Sequence, residues 1–157
     1  YEARANIMWA GMMAHNNACG VGRSQDWASH EIEHELSALY DCAHGAGLAI
    51  ITPSYFRYIY RDGLSKFVRF ARMVWNVDDQ GQGDEQIALE GISRLEQFIR
   101  ELGLPQSLCE VGATVEMLPL IAKSTDQNYK ARFGTSFGGY KLVEEKEIMA
   151  ILNACLW

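Results

Sequence analysis

Three of the four histidines of this chain fall within fifteen residues, as His30-Glu31-Ile32-Glu33-His34 followed by His44-Gly45. Neutral imidazole is a common transition-metal ligand near physiological pH. Residues four apart on a helix share a face, with β-carbons about 6 Å apart, so His30 and His34 can converge on one ion. His44 follows ten residues later, beyond one helical segment, where a turn can swing it back to the same place. The chemistry this spacing points to is metal binding and, through it, Lewis-acid catalysis.

Read as a pattern, His30 to His34 is also H-E-x-x-H, in which both histidines hold zinc and the glutamate, here Glu31, is the general base of a hydrolase. The longer form of that motif places a third histidine six residues after the second, and Tyr40 stands there. The other form takes a glutamate from a later helix, for which residues 85–101 offer candidates. The plain alternative is that these are ordinary helix-surface residues.

The elements that must position the histidines read as helices. A first helix spans about residues 2–19, with Trp9, Met12 and Met13 apolar and Gly11 a weak point, and a loop follows at about 20–25. A second begins near Asp26 or Ser29, either able to cap its free amides, and runs to about Tyr40 with Ile32, Leu36 and Leu39 on one apolar stripe. His30 and His34 fall at the edge of that stripe, a boundary between core and cleft. Gly45 and Gly47 permit close approach of the His44 segment to its neighbour, and the apolar run 48–51 starts a buried helix that continues to about Tyr60 despite Pro53. The aromatic set Tyr55, Phe56, Tyr58 and Tyr60 reads as packing.

Further helical periodicity covers about 65–76, 84–102 behind a cap at Asp84, 116–123 and 143–156. Residues 78–83 read as an exposed loop and 125–140 as irregular. The sum is all-α: one domain over residues 1–157, a bundle of about seven helices without an internal repeat. No strand followed by Gly-x-Gly-x-x-Gly announces a dinucleotide fold. Gly134-Thr135-Ser136-Phe137-Gly138-Gly139 comes nearest, and its aromatic residue and spacing suit a packed loop better than a phosphate cradle.

A length of 157 residues with 48% hydrophobic content suffices for one domain with a real core. The net charge of -6, with 14 Lys plus Arg scattered along the chain, argues against nucleic-acid or anionic-membrane partners. Cys19, Cys42, Cys109 and Cys155 form no C-x-x-C pair and read as reduced, mostly buried thiols of a cytoplasmic protein. No apolar run reaches the length of about eighteen residues that a membrane span requires.

The run Asp26-Trp27-Ala28-Ser29-His30-Glu31-Ile32-Glu33-His34-Glu35-Leu36-Ser37-Ala38-Leu39-Tyr40-Asp41, closing with His44-Gly45-Ala46-Gly47-Leu48-Ala49-Ile50, resembles the helical domain of iron-containing (group III) alcohol dehydrogenases, in particular their butanol dehydrogenase branch. The similarity continues through Thr52-Pro53, Ala71-Arg72-Met73-Val74-Trp75-Asn76-Val77, Gly91-Ile92 and Glu101-Leu102-Gly103-Leu104-Pro105. The resemblance implies a dehydroquinate synthase-like helical domain. In that family one divalent ion is held by an aspartate, a histidine a turn later, and two histidines downstream. Carried over by motif, the downstream pair is His30 and His44, while His34 corresponds to an additional histidine facing the substrate space, a candidate to pass a proton. Glu31 and Glu33 have no ligand role by the resemblance and read as solvated helix charges.

The upstream aspartate and histidine, with the nucleotide-binding half, would precede Tyr1. Asp26-x-x-x-His30 has the Asp-x-x-x-His spacing by coincidence. The expectation is therefore a C-terminal fragment whose first partner is its own N-terminal domain, which binds most of the NAD or NADP. The ion is Fe²⁺ or Zn²⁺, the substrate a small primary alcohol or aldehyde, and self-association through helical surfaces stays open. Alone, the chain should bind metal weakly and turn over nothing. A zinc hydrolase using Glu31 and a non-catalytic helical interaction module are the competing expectations.

Overall fold

The computed structural model describes residues 1–78 and 81–157. Among them the chain forms α1 (Glu2–His15), α2 (Ala28–Tyr40), α3 (His44–Ile59), α4 (Leu64–Trp75), α5 (Asp84–Glu101), α6 (Leu118–Phe133) and α7 (Glu145–Ala154), with 3-10 turns at Leu108–Val111 and Val115–Met117. The only pairing of β type among the described residues is one antiparallel bridge between Phe137 and Val143. No helix among them is long and apolar enough to cross a membrane.

The apolar stripes close on one core. Ile32 and Leu36 of α2 are wholly buried, as are Ile87, Ala88 and Ile92 of α5 and Leu118 and Ile121 of α6. Helix α3 is the central element: Ile50, Ile51, Tyr55 and Ile59 are buried, and α2, α5 and α7 pack around it. Pro53 sits buried inside α3, as the pattern required. Helices α4 and α5 approach closely because Gly91 carries no side chain; a Cβ there would lie 2.5 Å from the Ala71 Cβ.

Asp26 fastens the start of α2 to the rest. Its Oδ1 accepts from the Ala28 amide at 2.9 Å, and Oδ2 accepts from the Tyr55 hydroxyl at 2.6 Å and the Gly139 amide at 2.8 Å. The loop at 134–140 is accordingly a packed loop, with Phe137 buried and Gly138 at φ +110°, where a Cβ would meet the Lys141 carbonyl oxygen at 1.9 Å. Burial and the Asp26 carboxylate together push the Tyr55 hydroxyl well above its ordinary pKa.

Several expected boundaries move. Helix α1 stops at His15, four residues short of the expected end, because Asn17 adopts a left-handed conformation at φ 66°. Gly83, not Asp84, is the N-cap of α5, leaving Asp84 as a favourable charge in the first turn. Of the loop expected at 78–83, Asp79 and Gln80 lie outside the described residues. The segment expected to turn irregular at 125 remains helical to Phe133, since Thr125 and Asp126 are buried against the bundle and Gly134, at φ 72°, supplies the stop. The last helix is shorter than expected, with Glu144 as N-cap and its amide donating to the Glu147 carboxylate at 3.2 Å.

The aromatic set packs as expected: Tyr55 and Tyr60 are buried, and Phe56 and Tyr58 lie against the core. The four thiols are unpaired, but only Cys155 is buried; Cys42 and Cys109 are intermediate and Cys19 is exposed. One helix does not join the core. No residue of α1 is buried, and Ile7, Met8 and Trp9 are 72%, 75% and 66% exposed.

Candidate metal centre

The site is built by one helix and the start of the next. Helix α2 carries His30 and His34 on neighbouring turns and ends at Asp41 in a left-handed conformation at φ 49°. That residue reverses the chain so that α3 begins at His44 itself, with Ala43 as its N-cap. The three imidazoles expected to meet do meet. The His44 ring is centred 5.4 Å from that of His30 and 5.6 Å from that of His34, and the His30 and His34 rings are 6.4 Å apart.

These distances discriminate between ligand sets. The centre of an imidazole ring lies about 3 Å from an ion it ligates, so two rings on one tetrahedral ion are centred about 5 Å apart. The pair His30 and His44 fits that requirement, as does His34 with His44. His30 with His34, the pair a zinc hydrolase needs, is too wide in this arrangement. Glu31 is equally unsuited to act as that enzyme's base, since its carboxylate faces Arg132 on α6 at 3.6 Å and its side chain is only 15% exposed.

His30 carries a second sign of an intended ligand. Its ring packs edge-on against Trp27 with centroids 4.9 Å apart, and its Nδ1 is buried without a hydrogen-bond partner. A buried polar atom left unpaired in the chain calls for an explanation. Burial, and then the nearby imidazoles of His44 and His34, hold its pKa below the ordinary histidine value, which favours the neutral ring with one nitrogen lone pair free. His34 lies at the exposed rim of the group, and the His44 side chain is half-exposed.

Glu33 corrects the expectation of a solvated charge. It is wholly buried, its Oε2 contacts His44 Nδ1, and the Ser37 hydroxyl donates to its Oε1. One donor atom each from Glu33, His34 and His44 lies within 4.8 Å of the others, a grouping that leaves out His30. The sequence carried only a weak signal for this carboxylate: Glu33 precedes Leu36 by three and so lies beside the apolar stripe of Ile32, Leu36 and Leu39, not on it. Asp26, by contrast, accepts from the Tyr55 hydroxyl and the Gly139 amide. An apolar crevice of about 230 Å³, bounded by Asp26, Tyr55, Phe67, Phe70 and Tyr140 among others, carries none of the histidines.

The chain is similar to known proteins over almost its whole length. Residues 1–156 match the model of the Fe-containing alcohol dehydrogenase family, C-terminal. NADH-dependent butanol dehydrogenase A of Clostridium acetobutylicum is 39% identical over 154 residues, which is 98% of this chain and 38% of that protein. The NADPH-dependent aldehyde reductase YqhD of Escherichia coli is 33% identical over 85% of this chain and 34% of its own length. The crystal structure of NADH-dependent butanol dehydrogenase A from Thermotoga maritima superposes with a TM-score of 0.92 at 35% identity, covering 100% of this chain and 40% of that one. The chain thus spans about two fifths of the length of the relatives it matches.

Proposed function

We propose a function from the premise that this chain belongs to the iron-containing alcohol dehydrogenase family: it is the C-terminal, metal-binding helical domain of a longer NAD(P)-dependent enzyme that interconverts small, butanol-like primary alcohols and their aldehydes. The observation that carries this reading is the convergence of His30, His34 and His44, delivered by α2 and the first residue of α3. The donor set is imidazole, which suits Fe²⁺ or Zn²⁺. His30 and His44 would hold the ion, and the remaining ligands would come from the part of the enzyme not contained in these residues.

When bound, the ion would supply Lewis acidity at the alcohol or aldehyde oxygen, and NAD or NADP, bound mainly by the other domain, would supply the hydride acceptor or donor. The residues of this chain have separate tasks around that chemistry. His30, neutral and packed on Trp27, offers its lone pair without competition from a proton near pH 7. His34, at the exposed rim, is the residue placed to pass a proton between the substrate space and solvent. The unpacked apolar residues of α1 are the surface against which the rest of the enzyme docks. The unpaired thiols suit a cytoplasmic setting.

The test compares this chain with a form extended by the coding sequence upstream of Tyr1. Elemental analysis and NAD(P)H-linked reduction of butanal are measured on both. The expected result is little metal and no turnover in the chain alone, with one ion per chain and turnover in the extended form. Tight stoichiometric zinc in the chain alone, together with zinc-dependent peptide hydrolysis, would overturn the proposal.

A further inference from the structure

We infer that Glu33 is a positioning residue of this site: its carboxylate accepts the Nδ1–H of His44 and so leaves the lone pair of that ring on Nε2, the nitrogen offered to the ion. The inference rests on the reading of His44 as a metal ligand. A carboxylate withdrawn wholly from water must find hydrogen-bond donors for its oxygens. Glu33 has one for each, the Ser37 hydroxyl one turn further along α2 and His44 Nδ1 at the start of α3. The Ser37 oxygen also lies 3.2 Å from the Cys42 carbonyl oxygen, which places this hydroxyl beside the turn that delivers His44.

The fold reserves the space. At Gly47, three residues into α3 from His44, a Cβ would lie 2.5 Å from Glu33 Oε1 and 2.7 Å from its Cγ. Any larger residue there would displace the carboxylate. Ile32 and Leu36 beside it on α2 are wholly buried, so an apolar residue at position 33 would suit the packing. Position 33 holds a charge, and the group it reaches is a ring nitrogen.

A neutral imidazole carries one proton on two nitrogens, and a carboxylate on one of them fixes which. Such a partner also fixes the ring orientation and raises the basicity of the opposite nitrogen, and its loss from metal sites typically costs about 10- to 100-fold in metal affinity. Direct ligation by Glu33 is the competing role, since its oxygens lie within reach of His34 and His44. Oε2, however, is already occupied by His44 Nδ1, and Oε1 by Ser37.

The test uses the whole 157-residue chain, labelled with ¹⁵N and ¹³C and first free of metal, at about pH 8 where an ordinary imidazole is neutral. Long-range ¹H–¹⁵N correlation is expected to show His44 protonated at Nδ1 in the parent and shifted toward Nε2 protonation in Glu33→Ala. Calorimetric titration with Zn²⁺ is expected to show about 10- to 100-fold weaker binding in Glu33→Ala. Glu33→Gln, which keeps the shape and an acceptor but removes the charge, should retain the Nδ1–H form and lose about 10-fold in Zn²⁺ affinity; it carries the test if the alanine variant does not fold. Nε2 protonation of His44 in the parent would overturn the inference. So would a Glu33→Ala chain that is less stable but unchanged in tautomer and Zn²⁺ affinity, or a Glu33 carboxylate ¹³C shift showing direct ligation in the Zn²⁺-bound parent. If the parent chain binds too little Zn²⁺ to titrate, as its partial ligand set allows, the affinity comparison is made in the upstream-extended form, and absence of metal there overturns the metal reading, while the tautomer result in the chain decides whether Glu33 holds His44.

Discussion

Asp26 joins three parts of the chain through one carboxylate, accepting from the first turn of α2, from Tyr55 in α3 and from the Gly139 loop. Asp26→Ala leaves the buried Tyr55 hydroxyl without an acceptor, and hydrogen bonds to a charged group contribute about 1.5–3 kcal/mol each. The expected loss is about 2–3 kcal/mol, read from the urea midpoint with an unchanged slope. Tyr55 also sets an alkaline limit. Its folded pKa is raised above the ordinary value of 10.0, so above that pH the unfolded chain gives up a proton that the folded chain keeps. Stability is therefore full below pH 10 and declines as pH rises toward the folded pKa; Tyr55→Phe, though less stable overall, should show a flatter decline between pH 10 and the folded value. Among the histidines, His44→Ala and His30→Ala should each weaken Zn²⁺ binding by the chain. His34→Ala in the extended enzyme should alter the pH dependence of kcat, and an unchanged profile would remove His34 from proton transfer.

At the scale of elements, the close approach of α4 and α5 depends on Gly91. Gly91→Ala gains about 1 kcal/mol of helix propensity but drives a Cβ to 2.8 Å from the Ala71 Cα, and backbone in a packed helix does not give way as a flexible side chain would. Overpacking of this kind costs about 1–3 kcal/mol, so the net change should be destabilising, measured by the thermal midpoint; an Ala71→Gly, Gly91→Ala double variant removes the 2.5 Å contact with the Ala71 Cβ but not the one with its Cα and should not restore the parent midpoint. Helix α6 illustrates the opposite balance between local and long-range terms. Lys130, Arg132 and the nearby glycines suggested irregular chain, yet α6 lies against α2, where Asn128 donates to Glu35 at 2.6 Å and Arg132 faces Glu31. Tertiary contacts carry the helix past the point where its own periodicity fades.

For the whole molecule, α1 is the exception to a single closed core, with Met8, Trp9 and Met12 exposed along one side of the helix and Ile7 exposed beside them. Exposed residues of this kind mark an interaction surface when they are contiguous. If the remainder of a longer enzyme covers them, hydrogen exchange in α1 should be fast in this chain and slowed at least 10-fold in the upstream-extended form, while exchange in α3 and α5 stays the same. Equal exchange of α1 in both forms would mean that another surface receives the second domain.

The all-α class, the number of helices and the meeting of His30, His34 and His44 follow from residue spacing, because helical periodicity is a local property and one turn between α2 and α3 suffices to return His44. The family likewise rests on a contiguous run of sequence, and the comparisons bear it out. Glu33 was different: a glutamate next to a histidine in a helix reads as solvated, and it becomes a buried partner only where Ser37, the returning His44 and the space left by Gly47 surround it. The extent of α6, the end of α1 and the exposure of its apolar residues were also decided in three dimensions. Side-chain pattern fixes which face of a helix is apolar, whereas burial of a charge, and the absence of anything against an apolar face, depend on residues that only the folded chain brings together.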